Sequence, residues 1–204
     1  MKRSDGARQS STVGLSISPR TELRSGVKNL WRAILDKRVA VELDGQGRTE
    51  RKGGRRRLGM DITWLTDRIA VGGGIWNAEN MVEVSRAGIT HIIDMQIEFD
   101  DTALAKAHGI KVCWNPVDDD FMPKSREVFE RGVEFGLGAI EEDGAKLYVH
   151  CAAGVHRAPM MALALLAAMG WEMEDGMELI ERRRPVADFA DVYVRSVKEF
   201  LRGR

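Results

Sequence analysis

Residues 148–159 read Tyr148-Val149-His150-Cys151-Ala152-Ala153-Gly154-Val155-His156-Arg157-Ala158-Pro159. The cysteine follows an apolar run that predicts a strand over 146–150, and after five more residues an arginine opens a run that predicts a helix over 157–169. A strand, a short loop with glycine and a helix N-terminus can together direct backbone N–H groups at one anion. The stretch therefore predicts an anion-binding loop, which we call the cradle loop (residues 151–157).

The residue types of the cradle loop suit phosphoryl transfer. A cysteine at a helix N-terminus beside an arginine is expected to favour the thiolate, which is the nucleophilic form. The planar guanidinium of an arginine can contact two phosphate oxygens at once, and a lysine cannot replace it. We therefore predict Cys151 as the nucleophile and Arg157 as the phosphate clamp. The predicted substrate-binding residues are those whose backbone forms the loop: Ala152, Ala153, Gly154, Val155, His156 and Arg157.

The sequence on both sides of the cradle loop alternates between strand and helix patterns. Short strands are predicted near 62–65, 69–72, 89–95, 111–114 and 146–150, and helices over 77–87, 102–108, 125–142, 157–169, 172–183 and 189–201. This alternation predicts an α/β body that ends in helices. The longest apolar stretch, residues 158–170, is too short to span a bilayer and predicts a buried helix.

A formal net charge of zero hides an asymmetry along the chain. Residues 1–58 hold 15 Lys and Arg against 6 Asp and Glu, a balance of +9, which leaves −9 for residues 59–204. We predict a basic N-terminal arm (residues 1–58), partly disordered with one short amphipathic helix over 27–36, and a folded domain over 59–204. The arginine-rich run at 51–57 has no interleaved aromatic residues, so nucleic-acid binding through the arm is possible but less favoured than a solvated linker.

The pattern His-Cys-x-x-Gly-x-x-Arg at 150–157 resembles the signature of cysteine-dependent protein tyrosine phosphatases, and residues 61–204 resemble the dual-specificity branch. The resemblance implies a central, mostly parallel five-stranded sheet flanked by helices, and catalysis through a cysteinyl-phosphate. It also implies a general acid, an aspartate on a loop upstream of the cysteine. The candidates are Asp118, Asp119 and Asp120, and alignment of the helix that follows puts the acid at Asp119.

Two positions depart from the family pattern. Ala158 stands where the family usually has Ser or Thr, whose hydroxyl supports the thiolate as a leaving group, so hydrolysis of the intermediate is expected to be slow. The pair Ala158-Pro159 is similar to the plant glucan phosphatases, but His156 stands where those proteins carry glycine. Residues 152–155 also lack the lysines of phosphoinositide-directed relatives, which makes a highly charged inositol headgroup less favoured.

Together these features predict a cysteine-dependent dual-specificity phosphatase acting on phosphorylated Tyr, Ser or Thr of a protein substrate. No cofactor is implied, and no metal site is predicted, because the histidines and cysteines lack the spacing of zinc ligands. A chain with two cysteines and no apolar signal-peptide core is expected to be cytoplasmic.

Other functions remain open from the residues alone. One alternative is a phosphatase of the same fold that acts on an RNA 5′-triphosphate, a phosphoinositide or a phosphoglucan. Another is a catalytically weak phosphate-binding module. A rhodanese-like sulfurtransferase also uses a loop cysteine. The sequence does not determine the oligomeric state.

Overall fold

The computed structural model describes residues 59–203. Within this range, five strands form one sheet in the order β1-β2-β5-β3-β4. The strands are β1 (Ile62–Trp64), β2 (Ile69–Gly72), β3 (His91–Asp94), β4 (Lys111–Trp114) and β5 (Leu147–His150). β1 is antiparallel to β2, and all other neighbours are parallel. β5 is therefore the central strand, and all four of its residues are buried.

Six helices of the described residues cover the two faces of this sheet. They are α1 (Ala78–Arg86), α2 (Thr102–Lys106), α3 (Arg126–Glu141), α4 (Arg157–Ala168), α5 (Met173–Arg183) and α6 (Asp191–Arg202). Successive strand residues point to opposite faces. Accordingly, Leu147 and Val149 of β5 pack in a hydrophobic cluster with α3, α4, α5 and α6, whereas Tyr148 packs in a second cluster with α1 and α2. The arrangement confirms the predicted α/β class with a mostly parallel five-stranded sheet.

α4 is buried because it packs against β5 and three other helices. Every residue from 157 to 166 is buried. A helix in such surroundings has no polar face, which explains the continuous apolar run in the sequence. Within the described range, the helices are all too short or too polar to cross a bilayer.

The observed elements begin and end within two residues of the predicted bounds. The strand predicted over 89–95 is shorter, because the amides of Thr90 and His91 both donate to the carbonyl oxygen of Lys146 and regular pairing starts only at His91. The helix predicted from residue 77 begins at Ala78, and Asn77 is its cap, whose side chain accepts from the amide of Asn80 at 2.9 Å. The arm and its helix over 27–36 lie outside the described residues, and the domain boundary near residue 59 stays a prediction.

Candidate active site

Cys151 directly follows the central strand β5, at the edge of the sheet where the parallel strands end. Ligand sites of α/β sheets form at this carboxyl edge. The residue is only 1% exposed. Its Sγ accepts a hydrogen bond from the amide of Gly154 at 3.2 Å. An N–H group directed at the sulfur stabilises negative charge there.

Gly154 makes the turn of the cradle loop possible. Its φ is +64°, in the left-handed region that favours glycine. A Cβ at this position would lie 2.4 Å from the carbonyl oxygen of Gly72 and 2.5 Å from Nη2 of Arg184. Backbone conformation and lack of space therefore both exclude a side chain here.

The remaining amides of the cradle loop are those of residues 152, 153 and 155–157. They donate to no backbone carbonyl among residues 59–203. Backbone N–H groups in folded proteins almost always find an acceptor, so several free donors in one turn suit an anion that is bound from solution. The predicted binding residues Ala152, Ala153, Gly154, Val155, His156 and Arg157 are those that form this turn beside Cys151.

The guanidinium of Arg157 is held in a fixed plane. Nη1 donates to Oε2 of Glu98 at 2.9 Å, and Nη2 donates to Oε1 of the same carboxylate at 2.8 Å. Nη1 also donates to the carbonyl oxygen of Val117 at 3.0 Å. Nε is buried and has no hydrogen-bond partner among residues 59–203. The Nε hydrogen and the second hydrogen of Nη2 therefore remain for the oxygens of a phosphate group.

Of the three candidate aspartates, Asp119 is the one that contacts the cradle loop. Its Oδ2 lies 3.0 Å from Nδ1 of His156 and 3.8 Å from Nε of Arg157. Its Oδ1 accepts from the hydroxyl of Tyr193 in α6 at 3.0 Å. Burial raises the pKa of Tyr193 to about 12, so its hydroxyl keeps its proton at neutral pH. These contacts place the Asp119 carboxyl beside the predicted phosphate position.

The two neighbouring aspartates have other surroundings. Asp120 pairs with Lys124 and accepts from the amide of Met122 at 3.0 Å. Asp118 is exposed. The amide of Phe121 donates to the Tyr193 hydroxyl at 3.0 Å, so α6 holds the segment between β4 and α3, which we call the aspartate loop (residues 115–125).

Comparison with known protein families decides which family this fold and this loop represent. The model of the dual specificity phosphatase catalytic domain matches residues 75–202. The chain belongs to this family. The match includes the cradle loop, the aspartate loop and the strands β3, β4 and β5, and it confirms the resemblance predicted from the sequence.

Curated relatives of the chain are protein phosphatases of animals and plants. The chain is 32% identical to dual specificity protein phosphatase 5 of Rattus norvegicus over 74 residues, which is 36% of this chain and 19% of that protein. It is 28% identical to protein phosphatase Slingshot homolog 3 of Rattus norvegicus over 117 residues, 56% of this chain and 17% of that protein. With protein-tyrosine-phosphatase IBR5 of Arabidopsis thaliana it shares 30% over 76 residues, 37% of this chain and 29% of that protein. The matched regions are thus less than a third of each relative's length.

Solved structures with the same fold include PTPMT1 and DUSP15. PTPMT1 superposes with a TM-score of 0.62 at 20% identity and covers 70% of this chain and 94% of that chain. DUSP15 superposes with a TM-score of 0.60 at 23% identity, over 70% of this chain and 88% of that chain. At these identities the likeness concerns the fold.

Glu98 is a site residue that the sequence reasoning missed. Its two oxygens hold the Arg157 guanidinium, and these hydrogen bonds lower the pKa of Glu98. It therefore stays ionised at neutral pH and keeps the guanidinium in place. No local signal marks this residue, because the contact joins positions 59 residues apart.

Arg184 was also missed, and it holds the cradle loop through its carbonyl groups. Nε donates to the carbonyl oxygen of Gly154 at 2.7 Å, and Nη2 donates to that of Ala153 at 3.1 Å. Its terminal nitrogens also donate to both carboxylate oxygens of Asp61 at 2.9 and 2.6 Å. These hydrogen bonds lower the pKa of Asp61. Since Arg184 follows two other arginines, composition alone could not single it out.

Ala158 is completely buried at the first turn of α4. Its methyl group cannot donate to the sulfur of Cys151, as the Ser or Thr of the family pattern does. Among residues 59–203, the hydrogen bond that Sγ receives comes from the amide of Gly154. Slow hydrolysis of the intermediate therefore stays a prediction.

Asp94, Asp101 and His150 form a cluster of buried polar side chains, which we call the buried polar cluster. Asp94 ends β3 and His150 ends β5, directly before Cys151. Nε2 of His150 is 3.0 Å from Oδ2 of Asp101 and 3.8 Å from Oδ1 of Asp94, and all three side chains are fully buried. One ligand atom from each residue lies within 4.8 Å of the others, which is close enough to hold a cation. Burial raises the pKa of Asp94 to about 7, so a proton can balance the charge instead. The sequence reasoning missed this cluster because it considered only cysteine and histidine spacing.

Proposed function

We propose that the chain is a cysteine-dependent phosphatase that hydrolyses phosphate monoesters on Tyr, Ser or Thr of a protein. One arrangement carries this proposal: the sulfur of Cys151 shares a turn with free amides and with an arginine whose buried Nε has no partner among the described residues. A dianionic, tetrahedral group satisfies these donors, whereas a neutral ligand does not.

The proposed reaction has two steps. In the first, the Cys151 thiolate attacks phosphorus, the Sγ–P bond forms, the ester P–O bond breaks, and Asp119 gives its proton to the leaving oxygen. In the second, Asp119 accepts a proton from water, whose oxygen attacks phosphorus and releases the thiolate. Arg157 contacts the phosphoryl oxygens throughout, and its contacts strengthen as charge spreads over them in each transition state.

A protein substrate is favoured by the surroundings of the cradle loop. Residues 152–155 carry no charge, so the loop binds one phosphate through its backbone and Arg157. Phe121 is 53% exposed beside His156, and Ile97 is 54% exposed next to Glu98. Exposed apolar side chains next to residues that contact the loop suit the neighbouring residues of a phosphorylated peptide.

A phosphoinositide is the second candidate substrate. One solved structure of the same fold is PTPMT1 in complex with PI(5)P, which superposes with a TM-score of 0.63 at 20% identity and covers 70% of this chain and 95% of that chain. It ranks second because residues 152–155 offer no cationic side chain to additional phosphates of a headgroup.

A substrate panel tests the proposal with the full chain. The panel contains phosphotyrosine and phosphothreonine peptides, PI(5)P, a phosphoglucan, RNA with a 5′-triphosphate, a small aryl phosphate and thiosulfate, each with and without a chelator. We expect the peptides to be turned over, the rate to survive the chelator, and Cys151→Ser to abolish it.

Each other result of the panel points to a different function. Turnover that survives Cys151→Ser would contradict the mechanism. Phosphopeptide binding without turnover indicates a binding module, and turnover of thiosulfate alone indicates a sulfurtransferase. The predicted cytoplasmic location, the less favoured nucleic-acid binding by the arm and the oligomeric state are separate from this test.

A further inference from the structure

His156 lies between two carboxylates beside the cradle loop. Its Nδ1 is 3.0 Å from Oδ2 of Asp119, and its Nε2 is 3.3 Å from Oδ2 of Asp188. The ring of Phe121 packs edge-on against the imidazole, with 5.0 Å between centroids. The side chain is 19% exposed, so it is fixed by its neighbours and still reached by water. Holding an anion on the loop amides requires none of these contacts.

The partners of the imidazole determine which nitrogen carries the hydrogen. A neutral imidazole has one donor nitrogen and one acceptor nitrogen. The carboxylate of Asp188 can only accept, and its side chain is 66% exposed. In the neutral ring, the contact with Asp188 therefore holds the hydrogen on Nε2 and leaves Nδ1 as an acceptor. Asp119 makes a hydrogen bond to that acceptor only when its Oδ2 carries a proton.

The second oxygen of Asp119 agrees with the protonated form. Oδ1 accepts from the Tyr193 hydroxyl at 3.0 Å, so it behaves as the carbonyl oxygen of a carboxylic acid. Tyr193 in turn accepts from the amide of Phe121, which leaves its own hydrogen for Asp119. Both oxygens of the acid are thereby satisfied when one proton resides on Oδ2.

Other titratable and charged groups contact this pair or its partners. Arg157, Asp188 and Tyr193 contact the pair directly, and the Nζ of Lys124 lies 5.2 Å from the centre of the Tyr193 ring. Lys124 is paired with Asp120, and Arg157 is paired with Glu98. Nε of Arg157 is 3.8 Å from Oδ2 and favours the carboxylate. A phosphate dianion bound to Arg157 opposes this effect, so substrate favours the protonated acid.

We propose that Asp119 and His156 share one proton and act as a single acid–base pair, in which Asp119 contacts the reacting oxygen and His156 is a positioning residue. This inference rests on the proposed function and deepens it. When the ester bond breaks, the proton passes from Oδ2 to the leaving oxygen. When water attacks and the Sγ–P bond breaks, the proton of that water returns to the pair. Over one cycle, the pair neither gains nor loses a proton.

The test uses the His156→Asn variant of the whole 204-residue chain, in which the amide keeps a hydrogen bond to Asp119 but does not titrate. Without the imidazole acceptor, Asp119 holds its proton less firmly, and the alkaline limb of the kcat–pH profile should move to lower pH by about one unit. A phosphothreonine peptide has a poor leaving group that needs the acid. We expect the loss in kcat for this peptide to be roughly ten times the loss for an aryl phosphate with an acidic phenol.

The matched control is His108→Asn. His108 is exposed and precedes β4 at the opposite edge of the sheet, so this variant should keep the wild-type profile. In an Asp119→Asn background, adding His156→Asn should cause no further loss, because the two residues act as one unit.

Two results would overturn the inference while leaving the proposed function in place. One is an equal loss on both substrates with an unchanged pH profile, which is the signature of a purely structural role. The other is full additivity of the two substitutions. Turnover that survives Cys151→Ser would instead contradict the proposed function itself.

An NMR titration of the wild-type chain covers the case in which His156→Asn does not fold. The pair predicts that the midpoint for the His156 ring signals changes when Asp119 is replaced by Asn, while the midpoint for the His108 signals does not. Identical His156 midpoints in the two proteins would show that no proton is shared.

Discussion

At the scale of single residues, three adjacent aspartates differ in what their carboxylates touch. Asp119 contacts His156, Arg157 and Tyr193, whereas Asp120 is neutralised by Lys124. A general acid must reach the leaving oxygen, so position decides among side chains of equal chemistry.

Replacing these aspartates one at a time tests the assignment. Asp119→Asn should lower kcat on a phosphothreonine peptide by roughly 10²–10⁴ because the leaving oxygen no longer receives a proton. Asp118→Asn and Asp120→Asn are the matched controls and should leave kcat nearly unchanged. Steady-state kinetics at neutral pH checks all three, and a large loss in a control variant would move the acid to that position.

At the scale of elements, the turn between β5 and α4 depends on one glycine. Gly154→Ala places a methyl group against the Gly72 carbonyl in a left-handed backbone, so it should lower the free energy of unfolding by at least about 2 kcal/mol. Gly138→Ala is the control, because Gly138 lies in α3 with open space around it and should stabilise by about 0.5–1 kcal/mol. Urea unfolding measures both, and a stable, active Gly154→Ala protein would refute the strained turn.

Arg184 joins the segment after α5 to the cradle loop and to Asp61 before β1. Arg184→Met leaves the carbonyls of Ala153 and Gly154 without donors, and we expect a loss of about 2–4 kcal/mol in the free energy of unfolding. The catalytic efficiency kcat/KM for a small aryl phosphate should fall as well, because the loop amides lose their alignment. Arg182→Met, at an exposed position two residues earlier, should change neither quantity. Equal behaviour of the two variants would contradict this role.

At the scale of the whole molecule, the buried polar cluster makes stability depend on pH. Burial raises the pKa of Asp94 to about 7 in the folded chain, above the unfolded value of 3.8. Protonated Asp94 therefore contributes fully to the free energy of unfolding below pH 3.8, and this contribution is lost as pH rises toward 7. The free energy of unfolding of the wild type should fall by about 1–3 kcal/mol between pH 5 and 8, and Asp94→Asn should not show this fall. Urea unfolding at both pH values checks this, with the exposed Asp118→Asn as the control, and parallel curves for wild type and Asp94→Asn would contradict it.

The sequence alone was sufficient for the local features of this protein. Hydrophobic periodicity with glycine and proline punctuation placed every strand and helix of the described range within two residues, because these signals act between near neighbours. The cysteine and arginine of the cradle loop could also be recognised in the sequence, because only five residues separate them. The same spacing predicted the phosphatase family, which the comparison confirmed.

Only the tertiary structure decided which distant groups meet at that loop. Glu98 reaches Arg157 across 59 positions, Tyr193 reaches Asp119 across 74, and Asp61 reaches Arg184 across 123. Such contacts arise when the parallel strands bring their carboxyl ends to one edge and α6 packs beside them. No local sequence pattern predicts these contacts, because they depend on how the whole core packs rather than on the residues that flank each side chain.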